Sequence, residues 1–498
     1  MTAPDRPLLD RLAGHARARP DAPALRVIGD DGRERRRLTC AELERQSSGI
    51  AQRLRQELPA RSVVVLCLAN SCEFATMFLG VWKAGMTVFP VSPTLRPPEL
   101  LDAIGRSGAA IVIGAGCTPR TRSGLPCPVR RPDELIGGPV GGGLPAPPAP
   151  PPGDGAMYLQ SSGTTDRPKI VRRLGLSLDA VARGVCTALS CTMRDRVLAA
   201  IPMCHSYGVE HALLGPLYAG AEIVALTRFE PAVAERLLDD ATITLFPATP
   251  FMLHALAEHR DEPLRHSLRA VYSAGGVLPP GVYEAFARRA AMPVGQLYGS
   301  TEVGSATYHD PALPGFDPAS VGQPLAGVEV RILDPDRPDP ERPRKPGVEG
   351  HVAVRADSML DGYVDDAAPA HVGGWFLTGD LGRVDERGCL YLTGRIKLQI
   401  DVGGRKVNPH EVEQVIMDYP GIAACIVVPM PVTATLNRLR AVIVPRTPGA
   451  RPDIEALRRH VRDRLEGFKV PRIIECRTML PRTPSGKVDR SAIAGVPT

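Results

Sequence analysis

The sequence predicts an α/β protein with more than one domain. A chain of 498 residues is too long for one hydrophobic core. Stretches with helical apolar spacing alternate with short runs typical of buried strands, which favours a parallel sheet covered by helices. The apolar content of 44% and the net charge of +6 are ordinary for a globular protein.

The first α/β stretch covers residues 8–114. Thr39 suits the N-cap of its first clear helix, and the basic run Arg33–Arg37 is interpreted as a solvated turn. A Pro/Gly-rich stretch over 115–155 is expected to be a loop or semi-rigid linker outside the core. The helices are expected over 41–55, 74–85 and 98–108, and the strands over 63–68, 87–91, 109–114 and 156–160.

A second α/β stretch follows and ends at residues 295–302. A loop is expected over 203–208, and residues 320–396 have the short apolar runs and turns of a small antiparallel barrel or sheet. Residues 398–498 have the size of a small α+β domain. The strands of the second stretch are expected over 197–202, 221–226, 243–246 and 270–272.

Composition excludes several classes of protein. The basic residues form no stripe of the kind that binds nucleic acid, and no apolar stretch is long enough to span a membrane. The 11 cysteines contain no C-x-x-C pair, which favours reduced thiols and a cytoplasmic protein. Only 7 of the 60 basic residues are lysines. A lysine in such a chain is expected where a compact ammonium is needed.

The stretch Tyr158–Val171 predicts a polyphosphate-binding loop. Small hydroxyl residues and glycine let backbone N–H groups and hydroxyls surround an anion, and a lysine adds a point charge. The order of residues is not that of the P-loop, and a polar surface turn is the alternative. The candidate ligands are Ser161, Ser162, Gly163, Thr164, Thr165 and Lys169.

This stretch resembles the phosphate loop of the adenylate-forming superfamily, and the chain is most similar to the acyl-CoA synthetases. Asp166 stands where that family usually has a second glycine. Four more motifs follow in the family's order, so the resemblance covers most of the chain. They are Tyr298–Glu302, Trp375–Asp380, Gly394–Lys397 with Gly403 and Gly404, and Pro481–Arg490.

The resemblance implies a Mg²⁺·ATP site. Tyr298 would pack on the adenine, Glu302 and Ser161 would hold Mg²⁺, Asp380 would accept both ribose hydroxyls, and Arg395 would contact the ribose side. The remaining residues implied to bind ATP are Gly276, Gly299, Ser300, Thr301 and Lys487, besides the phosphate loop.

The resemblance also implies an acyl pocket and three catalytic residues: Lys487, His205 and Glu302. His205 would border the acyl carboxylate, and Lys487 would stabilise charge on the α-phosphorus. Relatives that activate α-amino acids have an aspartate near this loop to bind the ammonium group. This chain lacks that aspartate, and Glu210 is the nearest acidic residue. The expected substrate is therefore a carboxylic acid without an α-amine. The implied pocket residues are His205, Tyr207, Gly208, Thr249, Gly275, Gly276 and Val277.

By the same resemblance, the large N-terminal domain has two α/β subdomains and a small β-barrel-like subdomain, and the small α+β C-terminal domain is mobile. The expected boundaries are 1–394 for the adenylating domain, 395–397 for the hinge around Lys397, and 398–498 for the lid. Gly403 and Gly404 would line the tunnel for a thiol.

The implied function is ATP-dependent activation of a fatty or aryl carboxylic acid as acyl-AMP, followed by transfer to coenzyme A. One alternative acceptor is the pantetheine of a carrier protein, and another is an amine. An alternative of a different class, suggested by Asp166, is a non-catalytic protein that binds a nucleotide or an acyl group.

Overall fold

A computed structural model describes residues 7–114, 126–136, 155–161, 168–240, 242–364, 371–398, 400–402, 405–433, 436–482 and 488–494. The chain forms two compact units. Unit 1 comprises Met1–Val330 with Val354–Phe376, and unit 2 comprises Arg331–Ala353 with Leu377–Thr498. The hinge expected at 395–397 stays a prediction.

The helices of the described residues agree in position with most of the expected ones. A π-helical turn at Glu210–Leu214 lies between α7 and α8. The helices are α1 (Pro7–Ala18), α2 (Cys40–Glu57), α3 (Cys72–Lys83), α4 (Pro97–Ser107), α5 (Pro132–Ile136), α6 (Gly175–Ala188), α7 (Ser206–Val209), α8 (Gly215–Ala219), α9 (Pro231–Asp239), α10 (Pro250–His259), α11 (Pro280–Ala290), α12 (Pro409–Met417), α13 (Ile454–Arg462) and α14 (Arg490–Ala494).

The strands up to residue 226 include the one expected to precede the phosphate loop. They are β1 (Pro23–Ile28), β2 (Glu34–Thr39), β3 (Val63–Cys67), β4 (Thr87–Val91), β5 (Ile111–Gly114), β6 (Val129–Arg130), β7 (Ala156–Gln160), β8 (Ile170–Leu174), β9 (Arg196–Ala199) and β10 (Glu222–Leu226).

The later strands are β11 (Leu245–Ala248), β12 (Ala270–Ser273), β13 (Gly295–Ser300), β14 (Gly304–His309), β15 (Gln323–Pro324), β16 (Val328–Leu333), β17 (Gly350–Ala356), β18 (Gly362–Tyr363), β19 (His371–Val372), β20 (Trp375–Val384), β21 (Leu390–Arg395), β22 (Ile400–Asp401), β23 (Lys406–Val407), β24 (Ile422–Thr433), β25 (Leu436–Pro445) and β26 (Ile473–Cys476).

The predicted N-cap of α2 is confirmed. The Thr39 hydroxyl accepts a hydrogen bond from the Glu42 N–H at 3.2 Å, and the Thr39 N–H donates to the Glu42 carboxylate at 2.9 Å. Each side chain thus accepts the backbone N–H of the other residue, which is the reciprocal arrangement of a capping box.

Unit 1 contains a nine-stranded sheet in the order β15-β14-β13-β12-β11-β9-β10-β1-β2. The neighbours from β13 to β1 are parallel, and the strands at both edges are antiparallel. Loops that follow β9, β11, β12 and β13 therefore emerge at the same edge of the sheet.

A seven-stranded sheet in the order β18-β8-β7-β4-β3-β5-β6 completes the two α/β subdomains. Strands β7 and β8 form an antiparallel pair, so residues 161–169 connect two neighbouring strands. The late strand β18 pairs with β8 and forms the edge.

Alternation along the strands divides unit 1 into layers. On β10, Ile223 and Ala225 face a core that also contains side chains of α1, α2, α3 and α6, whereas Val224 and Leu226 face a core built on α9, α10 and α11. On β3, Val64 joins the first of these cores. The central helices thus lie between the two sheets, as an α/β architecture requires.

Unit 2 has its own core. The sheet β24-β25-β26 packs one face on α12 and α13, through residues such as Val412 and Leu457. Its other face packs on Leu480 and Ile493. Also in unit 2, the later part of β20 pairs antiparallel with β21.

Three local expectations were wrong. The basic run Arg33–Arg37 lies mostly in the edge strand β2, where Arg36 pairs with Glu73, instead of forming a turn. Within the expected linker, residues 126–136 form β6 and α5, and Leu135 is buried. The stretch expected as a loop at 203–208 becomes helical from Ser206 onward. The rest of that linker, 115–125 and 137–154, lies outside the described residues.

Among the described residues, no helix combines the length and hydrophobicity needed to cross a membrane. None of the described cysteines forms a disulfide.

Candidate active site

Four of the predicted segments follow parallel strands of the nine-stranded sheet. His205 lies after β9, Thr249 directly after β11, Gly275 shortly after β12, and Tyr298 near the end of β13. Since these strands are parallel neighbours, the sheet brings the four segments to one edge. This is the edge at which α/β sheets bind ligands.

The phosphate loop is held at both of its ends. The Ser161 N–H donates to the Lys169 carbonyl at 2.8 Å, next to the β7–β8 pair. Ser161 is buried and Lys169 is half-buried. Residues 162–167, which include Ser162, Gly163, Thr164, Thr165 and Asp166, lie outside the described residues.

The Tyr298–Glu302 motif covers the end of β13 and the beginning of the tight turn to β14. A Cβ atom at Gly299 would lie 2.3 Å from the Gly304 carbonyl oxygen, so only glycine fits there. The Ser300 hydroxyl accepts a hydrogen bond from the Glu302 N–H at 3.3 Å. Tyr298 is buried, whereas Ser300, Thr301 and Glu302 are half-buried.

Tyr363, which the sequence did not indicate, lies between two predicted site residues. Its hydroxyl donates to Glu302 Oε1 at 3.3 Å, and the Lys169 ammonium lies 4.4 Å from the centre of its ring. Burial and the adjacent Glu302 charge raise the pKa of Tyr363, so it stays a hydrogen-bond donor. Tyr363 therefore contacts both the lysine at the end of the phosphate loop and the carboxylate predicted to bind the metal.

The backbone of the same segment fixes this arrangement. The Leu360 N–H donates to the Glu302 carbonyl at 2.7 Å, and the Val364 N–H donates to the Ile170 carbonyl at 2.9 Å. Strand β18 thus connects the turn at Glu302 with the strand that follows the phosphate loop. Only the pairing of β18 with β8 reveals this, because no local motif surrounds Tyr363.

The His205 segment packs against the ends of β11 and β12. His205 is half-buried at the N-cap of α7, and its N–H donates to the Pro202 carbonyl at 3.2 Å. The Tyr207 hydroxyl donates to the Ala248 carbonyl at 3.2 Å, and burial raises the pKa of Tyr207 well above its ordinary value. A Cβ atom at Gly208 would lie 2.0 Å from the Pro202 carbonyl oxygen, which explains the glycine.

The other predicted pocket residues lie at the same edge. The Thr249 hydroxyl caps α10 by accepting the Met252 N–H at 3.3 Å. Gly275 has a φ of +83°, a left-handed conformation that favours glycine. A Cβ atom at Gly276 would lie 4.0 Å from Pro250. Val277 is 66% exposed.

Glu210, the acid nearest to the His205 loop, is buried and fully engaged. Its carboxylate accepts hydrogen bonds from Arg173 at 2.6 Å, Ser206 at 2.7 Å and Ser305 at 2.7 Å. Burial alone would raise the pKa of Glu210, but the Arg173 charge and the Ser305 hydroxyl bring it below its ordinary value. This carboxylate is therefore ionised and neutralised by Arg173.

Unit 2 contains the predicted ribose-binding pair. Asp380 on β20 is buried and forms an ion pair with Arg395 on β21. The Thr378 hydroxyl accepts the Asp380 N–H at 3.1 Å, and His351 Nε2 accepts the Gly379 N–H at 2.9 Å. Because a ring nitrogen that accepts a hydrogen bond carries no proton, His351 is neutral in this arrangement. Burial also lowers the pKa of His351.

Some predicted residues remain untested. Lys397 lies in a 3-10 turn, Ile396–Leu398, and its side chain is outside the described part. Gly403, Gly404 and Lys487 are also outside the described residues. Their roles stay predictions.

Comparison with known proteins identifies the family. The profile of the AMP-binding enzymes matches residues 12–364, and that of the AMP-binding enzyme C-terminal domain matches residues 411–487. The chain therefore belongs to the AMP-binding enzyme family, the adenylate-forming superfamily that the motifs indicated. Its α/β fold with a large N-terminal and a small C-terminal domain is the fold of that family.

Individual relatives are similar over nearly the whole chain. A feruloyl-CoA synthase from an Amycolatopsis species is 30% identical over 484 residues, which cover 95% of each chain. A sulfoacetate–CoA ligase from Cupriavidus necator is 29% identical over 455 residues, which cover 87% of each chain. The solved structure of the amide bond synthetase McbA from Marinactinospora thermotolerans has a TM-score of 0.83 and 26% identity, and the match covers 98% of this chain and 99% of its own.

Proposed function

We propose that this enzyme activates a fatty or aryl carboxylic acid without an α-amine as acyl-AMP, releases pyrophosphate, and transfers the acyl group to coenzyme A. Its general class is that of an AMP-forming acid–CoA ligase. The observation that carries the proposal is the contact of Tyr363 with both Lys169 and Glu302. A cytoplasmic setting is part of this proposal.

The charges of the phosphate side fit a nucleotide triphosphate with Mg²⁺. The hydrogen bond of Tyr363 occupies one direction of Glu302 Oε1, and a carboxylate has further lone pairs for a hard cation. Lys169 adds a compact positive charge beside the phosphate loop. When bound at Glu302, Mg²⁺ would neutralise negative charge on the phosphates.

The reaction needs positioning more than acid–base chemistry. A carboxylate is already ionised at neutral pH, so no general base is required. One carboxylate oxygen forms a bond to the α-phosphorus, and the bond from that phosphorus to the oxygen bridging it to the β-phosphorus breaks, releasing pyrophosphate. In the second step, the thiolate sulfur of coenzyme A bonds to the acyl carbon, and AMP leaves with the former carboxylate oxygen. His205 and Lys487 are proposed to hold the reacting carboxylate and the α-phosphate.

The state of Glu210 supports an acid without an α-amine. An ammonium group would need an available carboxylate near the His205 segment. Glu210 is the acid nearest to that segment, but Arg173 already neutralises it in the interior. Exposed Val277 and the half-buried ring of Tyr207 favour an apolar substrate body instead.

The test is acid-dependent exchange of labelled pyrophosphate into ATP over a panel of carboxylic acids. The panel should contain fatty acids, aryl acids, small dicarboxylic or sulfonated acids, and α-amino acids. We expect exchange with fatty or aryl acids and none with the amino acids. A protein that binds ATP but exchanges pyrophosphate with no acid would be a non-catalytic nucleotide-binding protein.

A second candidate differs only in the acceptor. The similarity to an amide bond synthetase favours an amine, and a carrier-protein pantetheine is a further thiol acceptor. Each acceptor should be supplied in turn with the acid that gives exchange. We expect coenzyme A to give the highest kcat/KM of the three acceptors. A higher kcat/KM with an amine or a carrier protein would make that compound the proposed acceptor instead.

A further inference from the structure

The buried carboxylate of Glu210 connects three segments that carry predicted site residues. Arg173 follows Lys169 by four residues on β8, Ser206 is adjacent to His205, and Ser305 follows Glu302 by three residues on β14. All three donate to Glu210 at 2.6–2.7 Å. The Glu210 carboxylate thus links strand β8, the segment around His205 and the strand that follows the Glu302 turn.

The bonding pattern extends to His211 and defines its tautomer. The Ser305 hydroxyl uses its hydrogen to donate to Glu210, so His211 Nε2, 2.8 Å from that hydroxyl, must be the donor to it. His211 Nδ1 then accepts the Tyr272 hydroxyl at 3.0 Å. The neutral ring connects the carboxylate to β12, the strand that precedes Gly275.

Stability alone does not explain this pair. Side chains of Arg173 and Glu210 are 0% and 2% exposed, and Arg173 Nε and Nη2 have no acceptor among the described residues. Desolvation of such a pair offsets much of its attraction, so apolar residues of similar volume are often equally stable. Glu210 also begins the π-helical turn, a conformation that is frequent at functional sites.

Charge-assisted hydrogen bonds do supply geometric precision. They are short and directional, and the reacting groups of an active site must be held within about 0.5 Å. Apolar packing at the same place would fill the volume without fixing the direction of Ser206 or Ser305.

We propose that Arg173 and Glu210 form a positioning pair for the adenylation step, which aligns the His205 segment with the phosphate-loop strand and the Glu302 turn. This inference rests on the proposed function. Neither residue is proposed to touch the substrate.

The test removes both charges together, because a single substitution would leave one unpaired charge in the core and strongly destabilise the fold. The variant is Arg173→Met/Glu210→Met. The matched control is Arg289→Met/Glu235→Met, since Arg289 and Glu235 form another buried pair, also with 2.6 Å between nitrogen and oxygen, between α11 and α9. A third variant, Arg173→Met/Glu210→Gln, keeps an acceptor for the serines without the charges.

We expect all three variants to fold with similar Tm values. The Arg173→Met/Glu210→Met variant should lose on the order of 10- to 100-fold in kcat for pyrophosphate exchange, with smaller changes in KM for ATP and for the acid. The control should keep wild-type kcat, and Arg173→Met/Glu210→Gln should recover part of the loss.

Three results would overturn the inference while the proposed function stands. The first is a wild-type kcat in Arg173→Met/Glu210→Met, and the second is an equal loss in the control pair. The third is a fall in kcat that only follows a fall in Tm, without recovery by Arg173→Met/Glu210→Gln, which would assign the pair a structural role. Failure of the wild-type enzyme to exchange pyrophosphate with any acid would instead overturn the proposed function.

Discussion

The hydroxyl of Tyr363 donates a hydrogen bond to Glu302 at 3.3 Å, across the join between strand β18 and the turn after β13. The ring of the same tyrosine lies 4.4 Å from the Lys169 ammonium. The residue that orients the predicted metal carboxylate therefore also supports the predicted phosphate lysine. Its two contacts can be removed one at a time.

Tyr363→Phe removes the hydrogen bond and keeps the ring beneath Lys169. Loss of one such bond corresponds to about 0.5–1.5 kcal/mol, or about 2- to 10-fold in affinity. We expect the Mg²⁺ concentration for half-maximal exchange to rise by this factor, with little change in KM for ATP at saturating Mg²⁺. Tyr363→Leu should raise the KM for ATP as well, because the cation–π contact is lost.

Tyr218→Phe is the matched control, since Arg11 lies 4.2 Å from the Tyr218 ring in unit 1 at a position outside the proposed site. It should leave both constants unchanged. An unchanged Mg²⁺ requirement in Tyr363→Phe would show that Tyr363 does not orient Glu302.

Gly208→Ala should disturb the acyl segment. The new Cβ would lie 2.0 Å from the Pro202 carbonyl oxygen, which accepts the His205 N–H. Relief of this clash must move Pro202, His205 or both, at a cost of about 1–3 kcal/mol. We expect a lower Tm and a raised KM for the acid, measured by thermal unfolding and by pyrophosphate exchange.

The control for this prediction is Gly105→Ala. A Cβ atom at Gly105 in α4 would meet nothing within 4 Å, so alanine should raise helix stability by about 0.5–1 kcal/mol. A Gly208→Ala variant as stable and active as Gly105→Ala would show that the backbone at Pro202 adapts freely.

The buried His211 should make stability depend on pH. Burial lowers the pKa of His211 to about 4, against about 6.5 for an unfolded histidine. The unfolded chain therefore binds more protons between these values, so His211 leaves stability unaffected above pH 6.5 and reduces it as the pH falls toward 4. The total effect is about 3 kcal/mol.

His211→Gln retains groups for Tyr272 and Ser305 without a titrating ring. We expect its Tm to fall less than that of the wild type between pH 7.5 and pH 5. Parallel Tm curves for wild type and His211→Gln would contradict the assignment of a neutral, buried His211.

Lys487→Ala should separate the two half-reactions. The family resemblance gives Lys487 a role only in forming acyl-AMP, where it neutralises charge on the α-phosphate. We expect pyrophosphate exchange to be nearly abolished while thioester formation from supplied acyl-AMP continues. Lys345→Ala, at an exposed lysine, is the control. Equal losses in both half-reactions would contradict this role.

The sequence predicted most of what local pattern determines. Thr39 indicated the start of α2, and the alternation of helices and strands indicated parallel strands covered by helices. The motifs at His205 and Tyr298 also follow parallel strands, so their meeting at one sheet edge was accessible from the sequence. Each of these features follows from a local pattern, together with the rule that parallel strands end at one edge of their sheet.

Features that depend on distant pairing were not predictable. Tyr363 reaches Glu302 only because β18 pairs with β8, and two-residue strands carry no periodicity. Arg173 and Glu210 appear in the sequence as ordinary charged residues, which are mostly exposed. Ser206–Val209 is too short for a helical pattern, so its conversion from the expected loop into a helix left no signal.

The most direct test of the central claim follows the oxygen of the acid. The wild-type enzyme is incubated with Mg²⁺·ATP, coenzyme A and a panel acid labelled with ¹⁸O in its carboxylate, and the AMP is analysed by mass spectrometry. Because acyl-AMP keeps one acid oxygen bound to phosphorus, the account predicts one ¹⁸O in each AMP formed. AMP without the label, or label in inorganic phosphate with ADP as the product, would contradict it.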